Sequence, residues 1–171
     1  MTTTMFARSR VLVSATVVVL TLLASAAACS PQGLVNQKAL SDEAAFAIVH
    51  GALDKCHADG YRVSLTLLDR AGPVRIQVRG DDTGPHTLEH SRKKAYTALT
   101  FKRPSGETAK AWAAATTPPP AIEGTVAAQG GLPIRAGNEV IGAIGISGAP
   151  GGEKDEACAA AGIAKIADLL K

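Results

Sequence analysis

The sequence predicts an α/β protein of the α+β type, an antiparallel sheet flanked by helices. Two hairpin signatures carry that expectation. Val63–Asp69 and Val74–Arg79 alternate apolar with polar residues and are joined by Arg70-Ala-Gly-Pro73, the pattern of two strands and a turn. Leu132–Arg135 and Val140–Ile146 are apolar runs joined across Ala136-Gly-Asn-Glu139, where Gly137 and Asn138 suit the positive φ of a tight turn. Strands connected so closely are antiparallel neighbours. The helical patterns before, between and after them cover the sheet.

Taken in order, Ser41 is the N-cap of a helix that runs to about Ala58, with Asp42 and Glu43 in its first turn. Ala45, Ile48, Val49, Ala52, Leu53 and Cys56 recur at three- and four-residue steps and form its buried stripe. Asp59-Gly60 ends it, and the first hairpin follows. After the loop Gly80–Gly84, Pro85 opens a second helix that reaches about Phe101. On this helix Leu88, Ala95 and Leu99 are expected to face the sheet, and His86, His90, Lys93 and Thr97 the opposite side. Pro104 breaks it, a short helix over Gly106–Ala115 follows, and Thr116–Pro120 is a stiff extended connection. Thr125–Ala128 reads as a strand before the C-terminal hairpin. In Val140–Ile146 both faces are apolar or small, which marks a central strand covered on both sides. Ser147-Gly-Ala-Pro-Gly-Gly152 then turns the chain into a last helix with Glu153, Asp155 and Glu156 in its first turn, where the helix dipole favours acids.

The N-terminus sets the expected compartment. Arg8 and Arg10 precede an apolar stretch over Val11–Ala28 that ends in small residues, the pattern of a secretory signal peptide. Its most apolar part, Val17–Leu23, is short for a span that needs about 20 apolar residues. The expected organisation is a signal peptide over 1–28, a tether over 29–40 and one domain over 41–171. Leu23-Ala-Ser-Ala-Ala-Ala-Cys29-Ser30 resembles a bacterial lipoprotein box, with Ala26 where leucine is usual, and makes Cys29 the expected lipidation site. The chain is then secreted or held at the cell envelope, touching the membrane only through that anchor. Of three cysteines, Cys56 and Cys158 remain. They form a disulfide if the first and last helices pack antiparallel in an oxidising compartment, or stay as two buried thiols.

Cleavage removes two arginines and leaves 16 basic against 15 acidic side chains, a formal charge of +1. With one tryptophan and no basic, aromatic-interleaved segment, nucleic acid is not an expected partner. No nucleophile elbow, Walker loop, zinc helix or dinucleotide fingerprint occurs, so the sequence gives no warrant for catalysis. His86 and His90 stand four residues apart on one helix face, a spacing that lets two imidazoles point at one metal ion or at a haem edge, although exposed histidines are equally ordinary solvated residues. His50, Asp54 and His57 share a face of the first helix in the same way. The Gly148–Gly152 loop is read as chain reversal, because the acids that follow it oppose an anion.

Leu68-Asp-Arg-Ala-Gly-Pro73, Arg92-Lys-Lys-Ala-Tyr-Thr-Ala98, Arg103-Pro-Ser105 and the run Gly130–Gly162 together resemble the GlcG/HbpS-like family of haem-binding proteins, over about residues 40–170. The resemblance implies a profilin-like domain with a five-stranded antiparallel sheet, a homo-oligomer, and binding of haem or iron that can feed a membrane sensor kinase. It also leaves open an accessory or enzymatic role near glycolate or cobalamin metabolism, and a ligand-free partner role. The family's haem-coordinating threonine falls at Ser105, which keeps the hydroxyl but is a weak iron ligand, so the resemblance implies porphyrin held by burial and propionate pairing. Arg103, Lys102 and Lys94 are near enough in sequence to supply positive charge, or else form a solvated face. Tyr96, near the margin of the sheet-facing stripe, suits half-buried packing better than axial ligation.

Overall fold

The computed structural model describes Gly33 and residues 35–117, 119 and 122–171. The expected signal peptide and Cys29 lie outside the described residues. Helix α1 (Asp42–Ala58) starts where Ser41 Oγ accepts the Ala44 N–H at 3.2 Å, and ends before Gly60, whose φ is 80°. Strands β1 (Ser64–Asp69) and β2 (Val74–Val78) form the first hairpin, α2 (Thr87–Phe101) and α3 (Ser105–Ala114) follow, and β3 (Gly131–Ala136) and β4 (Glu139–Ser147) form the second hairpin. Helix α4 (Gly152–Ala164) and a short 3₁₀ turn (Ala167–Leu170) close the chain. Among the described residues no helix is long and apolar enough to cross a membrane.

The sheet order is β2-β1-β4-β3, antiparallel throughout, so β4 is central as its small, two-sided pattern predicts. One face carries the main core, where α1 and α4 pack Ala45, Ile48, Ala52 and Ala159 against Leu65, Leu67, Ile144 and Ile146. Here the bridge Cys56–Cys158 joins the two helices, with Cα atoms 5.5 Å apart. The other face is covered by α2, where the apolar cluster shrinks to Leu68, Ala95, Ala98 and Ala143.

The face that α2 presents differs from the expected one. Leu88 and Leu99 are only half-buried, while Thr87, Ser91, Lys94, Ala95, Thr97 and Ala98 are buried. The cause is the closeness of the helix to the sheet. A Cβ added at Gly145 would overlap the Ser91 carbonyl oxygen and lie 2.5 Å from the Ala95 nitrogen. No large side chain fits that gap, so hydroxyls pair across it instead: Ser64 with Thr87 at 2.8 Å and Thr66 with Ser91 at 2.7 Å. Such pairs satisfy each other's hydrogen bonding.

The described residues form four strands, not five. Thr125–Ala128 runs beside α2 without joining the sheet. Thr97 Oγ1 accepts the Val126 N–H at 2.9 Å and lies 3.2 Å from the Val126 carbonyl, so one hydroxyl on the helix takes the backbone groups that a strand would offer to a neighbour. That contact also buries Thr97, which periodicity placed on the open face.

Candidate functional site

The first two turns of α2 and the end of β4 form the two sides of a cleft of about 670 Å³, within the usual size range of small-molecule sites. His86, His90 and Lys94 reach it from α2, because steps of four residues share a helix face. Ser147, Gly151 and Asp155 reach it from β4, the following loop and α4, and Arg62 and Asp82 stand at its rim.

The two imidazoles have ring centroids 6.3 Å apart with planes at 66°. His86 is exposed and His90 half-buried. Burial, helped by the charges of Lys94, His86 and Lys93, holds the His90 pKa below the usual histidine value. His90 is therefore neutral at pH 7, with a nitrogen lone pair free for a metal. Among the described residues no group of three His, Cys, Asp or Glu side chains is placed to hold a bare metal ion. His50 and His57 are exposed on α1, outside this cleft.

Lys94 does not offer a free charge. Its Nζ lies 2.7 Å from Asp155 Oδ2 and donates to the Ile146 carbonyl at 3.0 Å, and both side chains are almost fully buried. Asp155 Oδ1 accepts the Ala149 N–H at 3.0 Å. Burial is the larger influence on Asp155 and raises its pKa, against the lowering effect of Lys94. The pair ties α2, β4 and α4 together and fixes the loop that walls the cleft.

The other expected site residues do not line the cleft. Ser105 is fully buried at the start of α3, and its Oγ accepts the Gly131 N–H at 2.8 Å. Arg103 donates from Nε to Thr108 Oγ1 at 3.0 Å and stands 5.9 Å from the Phe101 ring centroid. Lys102, exposed at the left-handed C-cap of α2, uses its carbonyl to accept the Arg135 guanidinium. Tyr96 is half-buried, its ring against Gly72 and Gly124. Ser105 lies near the base of the cleft, for a Cβ added at Gly131 would come within 3.1 Å of Ser105 Oγ and would overlap the Lys94 carbonyl oxygen. Lys102 and Arg103 lie beyond the C-terminal end of α2, whereas His86, His90 and Lys94 line the cleft. Ser147 and Asp155 belong to the cleft although nothing in the sequence marked them; the one signal was Lys94, a cation within a helix face of small residues that needed a partner.

The profile of the family described as haem degrading protein, HbpS-like, matches residues 40–164. The chain belongs to this family. HbpS itself is 37% identical with a TM-score of 0.73, covering 77% of this chain and 93% of that one. A double mutant of Streptomyces reticuli HbpS gives 37% identity and a TM-score of 0.72 over 77% and 89%. The structure of a complex of PduOC with haem is 25% identical with a TM-score of 0.66, over 76% of this chain and 96% of that one. No curated protein matches. The HbpS-like family accounts for the profilin-like layering, with four strands among the described residues.

Proposed function

We propose that this protein binds haem in the cleft between α2 and the β4–α4 loop, with His90 as the iron ligand and His86 beside it. The observation that carries this reading is the half-buried, neutral His90 imidazole facing a cleft of about 670 Å³. Membership of the HbpS-like family and the likeness to the PduOC complex with haem support the choice of ligand. Ser105, where the family's threonine falls, is passed over because its hydroxyl already accepts the Gly131 N–H inside the fold. Bound haem would supply iron-centred redox chemistry. The chain's own part is to present an unprotonated imidazole, hold the cleft wall through Lys94 and Asp155, and limit water at His90.

Titration with haemin tests this. The wild-type protein should give a saturable Soret shift at micromolar haemin, His90→Ala should change the band position and weaken binding, and Ser105→Ala should leave both unchanged. No saturable shift for the wild type overturns the reading. Loss of the shift in Ser105→Ala alone moves the iron to Ser105.

The Cys56–Cys158 bridge supports an extracytoplasmic location, where disulfides persist, and the sequence before Cys29 supports a lipid anchor there. A homo-oligomer and a membrane sensor kinase are the partners that the family resemblance favours. The mass of the mature protein purified from membranes checks the anchor, since an unacylated N-terminus rules it out.

A further inference from the structure

We propose that Thr116 and Thr117 are an acceptor site for O-linked sugars, added outside the cytoplasm at the bend that follows α3. This rests on the extracytoplasmic location and is independent of the haem reading. Helix α3 ends at Ala114, Ala115 is extended with φ −73° and ψ 134°, and Thr116 and Thr117 form a bend outside any helix or strand. Both threonines are exposed, and neither gives its hydroxyl or its backbone N–H to another described residue. The other two described loop threonines behave differently. Thr83 donates its hydroxyl to the Gly80 carbonyl at 2.8 Å, and Thr125 donates to the Ile122 carbonyl at 2.7 Å. Those hydroxyls hold their own loops in shape. The hydroxyls of Thr116 and Thr117 do no such work inside the fold.

The neighbouring residues leave room for an enzyme. Trp112 is held by its edge-on contact with Phe101, with ring centroids 5.5 Å apart. Ala111, Ala113, Ala114 and Ala115 are small and exposed, so a transferase approaching from the helix side meets no other bulky side chain. In sequence three prolines follow, Pro118 to Pro120, residues with no N–H to give to a helix or a sheet. The residue before a proline is itself turned away from helical backbone. The acceptor therefore need not be unfolded to enter a transferase, which lowers the ordering cost of binding. Threonine beside proline is also the composition of O-glycosylated segments. The reaction is a substitution at the anomeric carbon of a sugar carried on a lipid phosphate. Threonine Oγ1 forms the new C–O bond, and the bond from that carbon to the phosphate oxygen breaks. The lipid phosphate leaves, and the hydroxyl proton passes to a base of the transferase. Thr100 supplies a contrast, an exposed threonine held on helical backbone in the last turn of α2.

The test is the intact mass and peptide map of the full chain, made in its own host and recovered from the cell envelope or the culture fluid. Wild type, Thr116→Ala/Thr117→Ala and Thr100→Ala are compared. Wild type and Thr100→Ala should carry one or more sugar-residue increments on the peptide that contains positions 116 and 117. The double variant should lose them from that peptide, with thermal unfolding unchanged, since both side chains are exposed and outside the cleft. Wild type of unmodified mass in the envelope, a phosphate increment in place of sugar, or sugar that persists on that peptide in the double variant overturns the acceptor site while the location stands. Wild type retained in the cytoplasm overturns both.

Discussion

Lys94 Nζ and Asp155 Oδ2 meet at 2.7 Å beneath the cleft, across a sequence separation of 61. Each is nearly inaccessible to water, so each depends on the other for its charge to be tolerated. Lys94→Met or Asp155→Leu alone should destabilise the fold by about 3–5 kcal/mol, because the remaining charge is left buried. The double variant Lys94→Met/Asp155→Leu should recover most of that loss. Urea unfolding of the four proteins measures the cycle, and additive losses in the double variant contradict it.

The two shifted groups in the cleft have opposite effects on stability with pH. The Asp155 pKa is raised in the fold, so its contribution is present in full below the unfolded value and is lost as pH rises through the folded value. The His90 pKa is lowered, so its contribution is present above the unfolded value and is lost as pH falls through the folded value. Resonances of the Asp155 carboxyl and the His90 imidazole followed by NMR should titrate above the usual aspartate value of 3.8 and below the usual histidine value of 6.5. The acid-range slope of stability assigned to Asp155 should vanish in Asp155→Asn.

Gly145 decides how near α2 lies to the sheet. Gly145→Ala forces a Cβ against the Ser91 carbonyl, and the helix must move away. We expect a loss of about 1–3 kcal/mol from overpacking and weaker haemin binding, since His90 is one residue from Ser91. Unchanged thermal unfolding in this variant would show that the approach is looser than the structure has it.

The bridge between α1 and α4 closes a loop with a sequence separation of 102. Replacing both Cys56 and Cys158 by serine should cost about 2–5 kcal/mol. A domain spanning residues 41–171 should show no titratable thiol when unfolded without reductant and two when unfolded with it.

The borders of the fold were legible because they rest on local chemistry: Ser41 caps, Gly60 stops, and the turns at Arg70–Pro73 and Gly137 reverse the chain. Gly137 has the expected positive φ, while Asn138 does not share it. Apolar periodicity does not reveal the buried face of α2, because it counts Thr87 and Ser91 as solvent-facing, and only the partner strand shows that Ser64 and Thr66 wait opposite them. The composition of Thr125–Ala128 suits a strand, but a single hydroxyl on another element fixes its course. In the cleft, His86 and His90 were visible because their spacing lies within one helix. Ser147 and Asp155 were not, since the sheet brings them from more than 50 residues away.

The disulfide has a further consequence for the molecule as an object that can be cut. Helices α2 and α3, both central strands and the whole cleft lie between Cys56 and Cys158. Any single backbone scission in that interval yields two pieces that remain one covalent molecule until reduced. A protease that nicks the connection from Ala115 to Gly130 therefore releases neither the helix that bears the imidazoles nor the strand that ends at Ser147.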